Sequence, residues 1–249
     1  MRCAYSSITC PADNNVPGHR GGDIVAAVET AAAVRLLVGD VMGHGPEARE
    51  IAARVTCAFT RLATHAEDPP QVVAARLDQI VAVMEHREAF VTAQFIDIPN
   101  GDEDAEPRIV CCGHPPPLVL RDRGATFLDA IPAAPPLGLL DLTGRTCPRP
   151  VPLLLLPGET ALFYTDGVTE ARDGAGAVYP LPARAAAIAA ELALEPGIGE
   201  LPARLAADLL AHAQGDLRDD ATLMCLRLAD DADGAETRAG TRSISVAAE

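Results

Sequence analysis

Four short aspartate-bearing segments, spread along a chain of 249 residues, most constrain what it can fold into. They are Gly21-Gly22-Asp23, Gly39-Asp40-Val41-Met42-Gly43-His44-Gly45, Tyr164-Thr165-Asp166-Gly167 and Arg218-Asp219-Asp220-Ala221-Thr222. Each acid stands beside glycine or at the edge of an apolar run, where a strand gives way to a loop. Carboxylates delivered by several strand ends to one place repel one another unless a cation lies between them. Hard oxygen donors of this kind suit magnesium or manganese. The pattern points to a metal-dependent hydrolase.

The length fits one generous domain with a sizeable core. Aromatic residues are only 3% of the chain and Trp is absent, so Ala, Leu and Val must build that core. A net charge of −15 argues against a phosphate backbone as partner, since such binding is driven by Lys and Arg. The seven cysteines include no C-x-x-C pair, which argues against a thiolate zinc site or redox motif. Those inside apolar runs act as small hydrophobes. No basic-then-apolar leader and no apolar run of membrane-spanning length is present, so a reducing cytoplasm is the expected location.

Residues 34–40 form an apolar run ending in Gly-Asp, as a buried strand does on leaving a sheet. Pro46 then suits a first helical turn, and Ile51, Val55, Phe59 and Leu62 recur at helical spacing. Val73, Leu77, Ile80, Val81 and Met84 repeat the stripe over residues 70–86. Strands are expected at Phe90–Ile98, Arg108–Cys112, Leu118–Leu120, Leu153–Leu156, Thr160–Asp166 and Thr222–Leu228. The prolines 115–117 favour a sheet edge for the strand that follows them. Residues 129–150 are expected to be irregular, and Ala183–Leu194 and Leu201–Ala213 helical. Without regular alternation of strand and helix, the fold class is α+β, antiparallel sheets covered by helices, in one domain spanning 1–229. The acidic Ala/Gly-rich tail 230–249 is expected to be disordered.

The blocks GGD, VGDVMGHG, FVTAQF, CGHPPPLVL, PPLGLL, LPGETALFYTDGVTEARD and RDDATL occur in that order. Together they resemble the SpoIIE-type branch of the metal-dependent protein phosphatases, bacterial relatives of protein phosphatase 2C. The resemblance implies a four-layer α-β-β-α sandwich and hydrolysis of phosphoserine or phosphothreonine on a protein. It also implies a pair of Mn²⁺ or Mg²⁺ ions held by Asp23, Asp40, the backbone carbonyl of Val41, Asp166 and Asp219. Asp40 and Asp166 are the acids on which catalysis should depend most. The implied substrate is a small phosphorylated regulator, of the anti-sigma-antagonist type, in partner-switching signalling. Such ions activate a water for in-line attack, so no Ser, Cys or His nucleophile is required.

Turns alone can account for Gly-Asp pairs, most easily at Asp23. Of the final pair, Asp219 is the favoured ligand and Asp220 a supporting acceptor, because adjacent residues at a strand entry point opposite ways. His44 is expected to pack over the helix that follows, and His114 to hold a loop. Gly43 and Gly167 are expected to permit tight backbone. Glu170 and Arg172 suggest a local surface ion pair, and Arg20 and Arg35 receive no role. Ala26 stands where the family usually shows a second acid, three places after Asp23. That departure motivates a rival expectation, a weakly active or non-enzymatic binding module with a partly degenerate metal site. No sensor segment precedes Arg2, so input is expected from a separate sensor or activator protein, or not at all.

Overall fold

The computed structural model describes residues 3–12, 21–65, 67–84, 89–100, 106–121, 124–144, 147–156, 158–192, 200–228 and the backbone of 243–245. Its strands are, in chain order, β1 (Cys3–Cys10), β2 (Asp23–Glu29), β3 (Ala33–Val41), β4 (Val91–Pro99), β5 (Arg108–Cys112) and β6 (Leu118–Arg121). There follow β7 (Gly124–Phe127), β8 (Ala133–Ala134), β9 (Val151–Pro152), β10 (Thr160–Tyr164), β11 (Ala221–Leu228) and β12 (Ser243–Ser245). The helices are α1 (Pro46–Leu62), α2 (Pro70–Ala82), α3 (Asp166–Glu170), α4 (Leu181–Leu192) and α5 (Glu200–His212). Two antiparallel-rich sheets with helix pairs make this the α+β fold expected.

The chain divides into two compact units. The first comprises Gly21–His114 and Asp129–Leu154 and holds a sheet ordered β2-β3-β4-β5-β8, with β9 also on β5. Helix α1 packs on β2 and β3, and α2 on β4 and β5. Ile24, Ala26 and Val28 of β2 and Leu37 and Val41 of β3 are buried in one apolar cluster with Ile51, Val55 and Phe59 of α1. Strand residues alternate between faces, so Asp23 and Asp40 stand on the side turned away from these helices. Arg35 of β3 is almost buried. Its guanidinium donates to the carbonyls of Ala63 (3.1 Å) and His65 (2.8 Å) just past α1, and its Nε to Asp97 (2.9 Å). A role at the end of α1 thus falls to a residue for which the sequence suggested none. Burial pushes the Asp97 carboxyl up, and Arg35 offsets this only in part.

The second unit comprises Arg2–Arg20, Pro115–Leu128 and Leu155–Glu249 and holds a sheet ordered β12-β1-β11-β10-β6-β7. Helix α4 packs on β6 and β7, and α5 on β1 and β11. Strand β1 runs antiparallel to β11 from Cys3 opposite Leu228 to Cys10 opposite Ala221. Asp208 of α5 accepts from Tyr179 (2.7 Å) and from Arg184 of α4, joining the two helices.

Several expectations require correction. Strand β6 lies between β10 and β7, not at an edge, because the three prolines precede the ladder and are not asked to donate within it. Leu153–Leu156 is not a strand: Leu153 donates to Pro107 O, but Leu154 and Leu156 turn outward and the short β9 ends before them. The connection 129–150 carries β8 and a 3-10 turn, Leu140–Thr143, whose backbone is gathered by Asp78 of α2. That buried carboxylate accepts from Gly138 N (2.6 Å) and Leu140 N (3.2 Å). Within the tail, residues 243–245 pair parallel to β1, and the rest lies outside the described residues, as does most of the acidic hairpin 100–106.

The Asp208 cluster yields a pH test. Hydrogen bonding from Arg184 and then Tyr179 holds the Asp208 carboxyl below its usual range, against a burial effect of opposite sign. A depressed carboxyl stabilises the fold above its unfolded pKa and loses that contribution as pH falls through the folded value. Asp208→Asn should therefore lower stability by about 0.2–1 kcal/mol at neutral pH. The difference from wild type should shrink in urea melts below about pH 4, where the unfolded carboxyl titrates.

Candidate metal centre

In the first unit Asp23 and Asp40 are direct register partners across β2 and β3. Opposite residues of an antiparallel pair place their Cβ atoms about 4.5–5.5 Å apart on one face, so the two carboxylates confront each other. Both are half-buried. Val41 turns its side chain into the helix-side cluster and is fully buried there, leaving only its backbone to face the acids. The glycine before Asp23 is dictated by this crowding: a Cβ on Gly22 would lie 2.6 Å from Val41 O and 2.9 Å from Asp40 Oδ1. Gly22 O accepts from Val41 N at 3.1 Å, tying the GGD segment to the end of β3.

In the second unit Asp166 opens α3 directly after β10, and Asp219 precedes β11. The two strand ends are bound together by threonines. Thr165 N donates to Thr222 O (3.1 Å), Thr222 N donates to Thr165 Oγ1 (2.9 Å), and Thr222 Oγ1 meets Thr9 Oγ1 at 2.9 Å. Thr165 and Thr222 are fully buried. A Cβ on Gly167 would fall 2.0 Å from Asp220 O and 3.3 Å from Asp219 O, so the Asp-Gly sequence is a condition of this approach. Asp219 and Asp220 differ sharply. Asp220 is buried and its Oδ1 accepts from Ala12 N at 2.9 Å. Asp219 is exposed, and its Oδ1 accepts from Asp220 N at 2.8 Å. Asp166 is exposed as well.

Asp23, Asp40 and the Val41 carbonyl thus belong to one unit, Asp166 and Asp219 to the other. Among the described residues no group of three His, Cys, Asp or Glu side chains forms a metal cluster. The donor chemistry fits a hard divalent cation nonetheless: every atom is a carboxylate or carbonyl oxygen. Two opposed carboxylates on one sheet face also favour a positive charge between them.

Ala26 does not belong to this centre. Its side chain lies in the apolar cluster beneath α1, opposite Leu37, on the face of β2 away from Asp23. An acid there would not stand beside the opposed carboxylates. His44 is exposed between Gly43 and Gly45. His114 is buried, with Nδ1 2.9 Å from Thr92 Oγ1. The segment after Asp166 is helical, and Arg172 binds Gly176 O rather than Glu170. The threonines and Asp78 went unassigned in the sequence. The one signal for the former was their position, Thr165 directly before Asp166 and Thr222 two places after Asp220.

Residues 30–229 match the Stage II sporulation protein E (SpoIIE) family, and the chain belongs to that family. Asp40, Asp166 and Asp219 fall inside the matched residues, whereas Asp23 precedes them. The fold is similar to the RsbU and RsbW domains of Rv1364c from Mycobacterium tuberculosis, with 26% identity and a TM-score of 0.71 over 91% of this chain and 59% of that one. It is also similar to the PP2C phosphatase domain and regulatory-domain fragment of SpoIIE from Bacillus subtilis, at 15% identity and TM-score 0.70, over 92% of this chain and 64% of that one. A third likeness is to the catalytic domain of the serine/threonine phosphatase PstP in complex with two manganese ions, at 16% identity and TM-score 0.60, covering 92% and 99%. The chain spans less than two thirds of the first two structures.

Replacing Gly167 by Ala should destabilise the protein by at least about 3 kcal/mol, the upper end of overpacking costs, because the added carbon meets backbone and not a flexible side chain. Urea denaturation checks this, with Gly174→Ala as a control, since its nearest neighbour is the far end of the Gln214 side chain.

Proposed function

We propose that the chain is a Mn²⁺- or Mg²⁺-dependent phosphatase that hydrolyses phosphoserine or phosphothreonine on a small phosphorylated regulator of partner-switching signalling in the cytoplasm. The observation that carries this is the apposition of Asp23 and Asp40, a repulsive arrangement that a bound cation turns into a stabilising one. The family and the PP2C-type fold support the reaction class, and the PstP structure with its two manganese ions supports the cofactor. The partner-switching assignment draws on the Mycobacterium tuberculosis relative, which carries RsbU and RsbW domains. Input from a separate sensor or activator protein belongs to the same proposal. Among the described residues, no helix is long and apolar enough to cross a membrane.

Asp23, Asp40, the Val41 carbonyl, Asp166 and Asp219 would hold the ions. When bound, a pair of such ions neutralises phosphoryl charge and lowers the pKa of water. The chain's own part is placement. Gly22 and Gly167 let backbone come close beside the acids, and Asp220 and the threonine set hold the entry to β11 still. Covalent catalysis by a thiol is not part of the scheme. Burial raises the Cys111 and Cys225 thiols, and Cys10 and Cys112 are buried too. Against the rival binding-module reading stands the place of Ala26, which packs in the apolar cluster beneath α1 and not beside the carboxylates.

Purified protein should hydrolyse a generic aryl phosphate with Mn²⁺ or Mg²⁺ and lose turnover on chelation. Asp40→Asn and Asp166→Asn should each reduce turnover on the order of a hundredfold, the upper end of what losing a support for a metal ligand costs. Wild-type turnover no higher than that of Asp166→Asn, with either metal, refutes the assignment. Calorimetry separates the rival, since a binding module would hold its partner equally well in EDTA.

A further inference from the structure

Two sequence blocks without an assigned role, Phe90-Val91-Thr92-Ala93-Gln94-Phe95 and Cys112-Gly113-His114-Pro115, meet beside Asp40. Thr92 of β4 is the register partner of Asp40, as Asp23 is on the other side. Asp23, Asp40 and Thr92 therefore form one transverse row on a single face of three neighbouring strands. His114 extends the row: the residue is 5% exposed and its Nδ1 lies 2.9 Å from Thr92 Oγ1. The Thr92 hydroxyl donates to Asp40 O at 3.4 Å. That carbonyl shares its peptide with the Val41 N–H, which donates to Gly22 O at 3.1 Å.

A hydroxyl carries a single proton. When that proton is directed at Asp40 O, His114 Nδ1–H is the donor to Thr92 Oγ1. Hydrogen bonds then run in series from the imidazole through the hydroxyl and the Asp40–Val41 peptide to Gly22, each polarising the next. The His114 backbone is itself anchored, because the Cys111 thiol donates to His114 O at 3.1 Å and burial favours the protonated thiol.

We propose that Thr92 and His114 are positioning residues which clamp the Asp40–Val41 peptide from one side while Gly22 holds it from the other. The clamp fixes the plane from which the Asp40 side chain and the Val41 carbonyl both depart. It thereby sets how tightly Asp23, Asp40 and Val41 O hold a divalent cation, a role that rests on the metal reading above.

The test uses Thr92→Val, which keeps the shape and removes the hydroxyl, and Thr92→Ser, which keeps the hydroxyl. His114→Leu and His114→Asn form a second pair, the asparagine amide restoring a donor near the Nδ1 position. Two readouts are taken: the Mn²⁺ dissociation constant by calorimetry, and hydrogen exchange of the Val41 amide in metal-free protein. Thr92→Val and His114→Leu should weaken Mn²⁺ binding about ten- to a hundredfold. They should also speed Val41 exchange about tenfold, whereas Thr92→Ser and His114→Asn should stay near wild type. Unchanged Mn²⁺ affinity in Thr92→Val, or Thr92→Ser falling as far as Thr92→Val, overturns the proposal. Should wild type bind no Mn²⁺, the metal reading is what fails. Val41 exchange in Thr92→Val then decides the clamp alone, and an unchanged rate overturns it. If His114→Leu does not fold, the threonine pair decides the matter by the same two readouts.

Discussion

The register between β2 and β3 sets two carboxylates face to face, and much of the first unit can be understood as what makes that register compulsory. Like charges directly opposed cost about 0.2–1 kcal/mol across a strand pair. Against this stand Ile24 and Val28 on β2 and Leu37 and Val41 on β3, all buried in the cluster beneath α1. Each such side chain contributes about 1.5–3 kcal/mol when fully buried. A slip of one residue would turn the whole set outward. The apolar side therefore wins by several-fold, and the acids stand where the core puts them. Their repulsion is a local cost carried by packing on the opposite face.

The second unit places its acids by a different device. No cross-strand pair of carboxylates exists at Asp166 and Asp219; two strand ends are drawn together by buried hydroxyls and by a glycine pressed against backbone. Neighbouring acids are sorted by solvent there. Asp220 spends an oxygen on the Ala12 amide in the interior, and Asp219 is left facing water. Adjacent identical residues thus meet opposite surroundings, one buried and one exposed.

What the sequence disclosed follows from how local each signal is. Helices α1 and α2 and strands β4, β5, β10 and β11 were legible because hydrophobic periodicity is written in contiguous residues. The position of β6 was misread, since a proline rule that applies inside a ladder was applied to residues ahead of it. The resemblance set Ala26 where a second acid is usual, and three steps along a strand put it on the face away from Asp23. Thr92, Thr165 and Thr222 escaped notice because a threonine in a strand is ordinary. Their hydroxyls matter only through partners 22 to 213 residues away. The identity of the acids was local information, while their support was not.

The pairing of β1 with β11 has a consequence for how the protein comes into being. Cys10 and its partner Ala221 are separated by almost the whole chain. At about 5–20 residues per second, a ribosome needs on the order of 10–40 s to travel between them. Throughout that interval β1 is an unclaimed strand with open backbone donors and acceptors, the kind of edge that recruits wrong neighbours. The first unit ends at residue 154, so all of it is synthesised before β11. Biosynthesis thus leaves the earliest strand waiting longest, and protection of a nascent edge becomes a demand on the cell that the finished fold conceals.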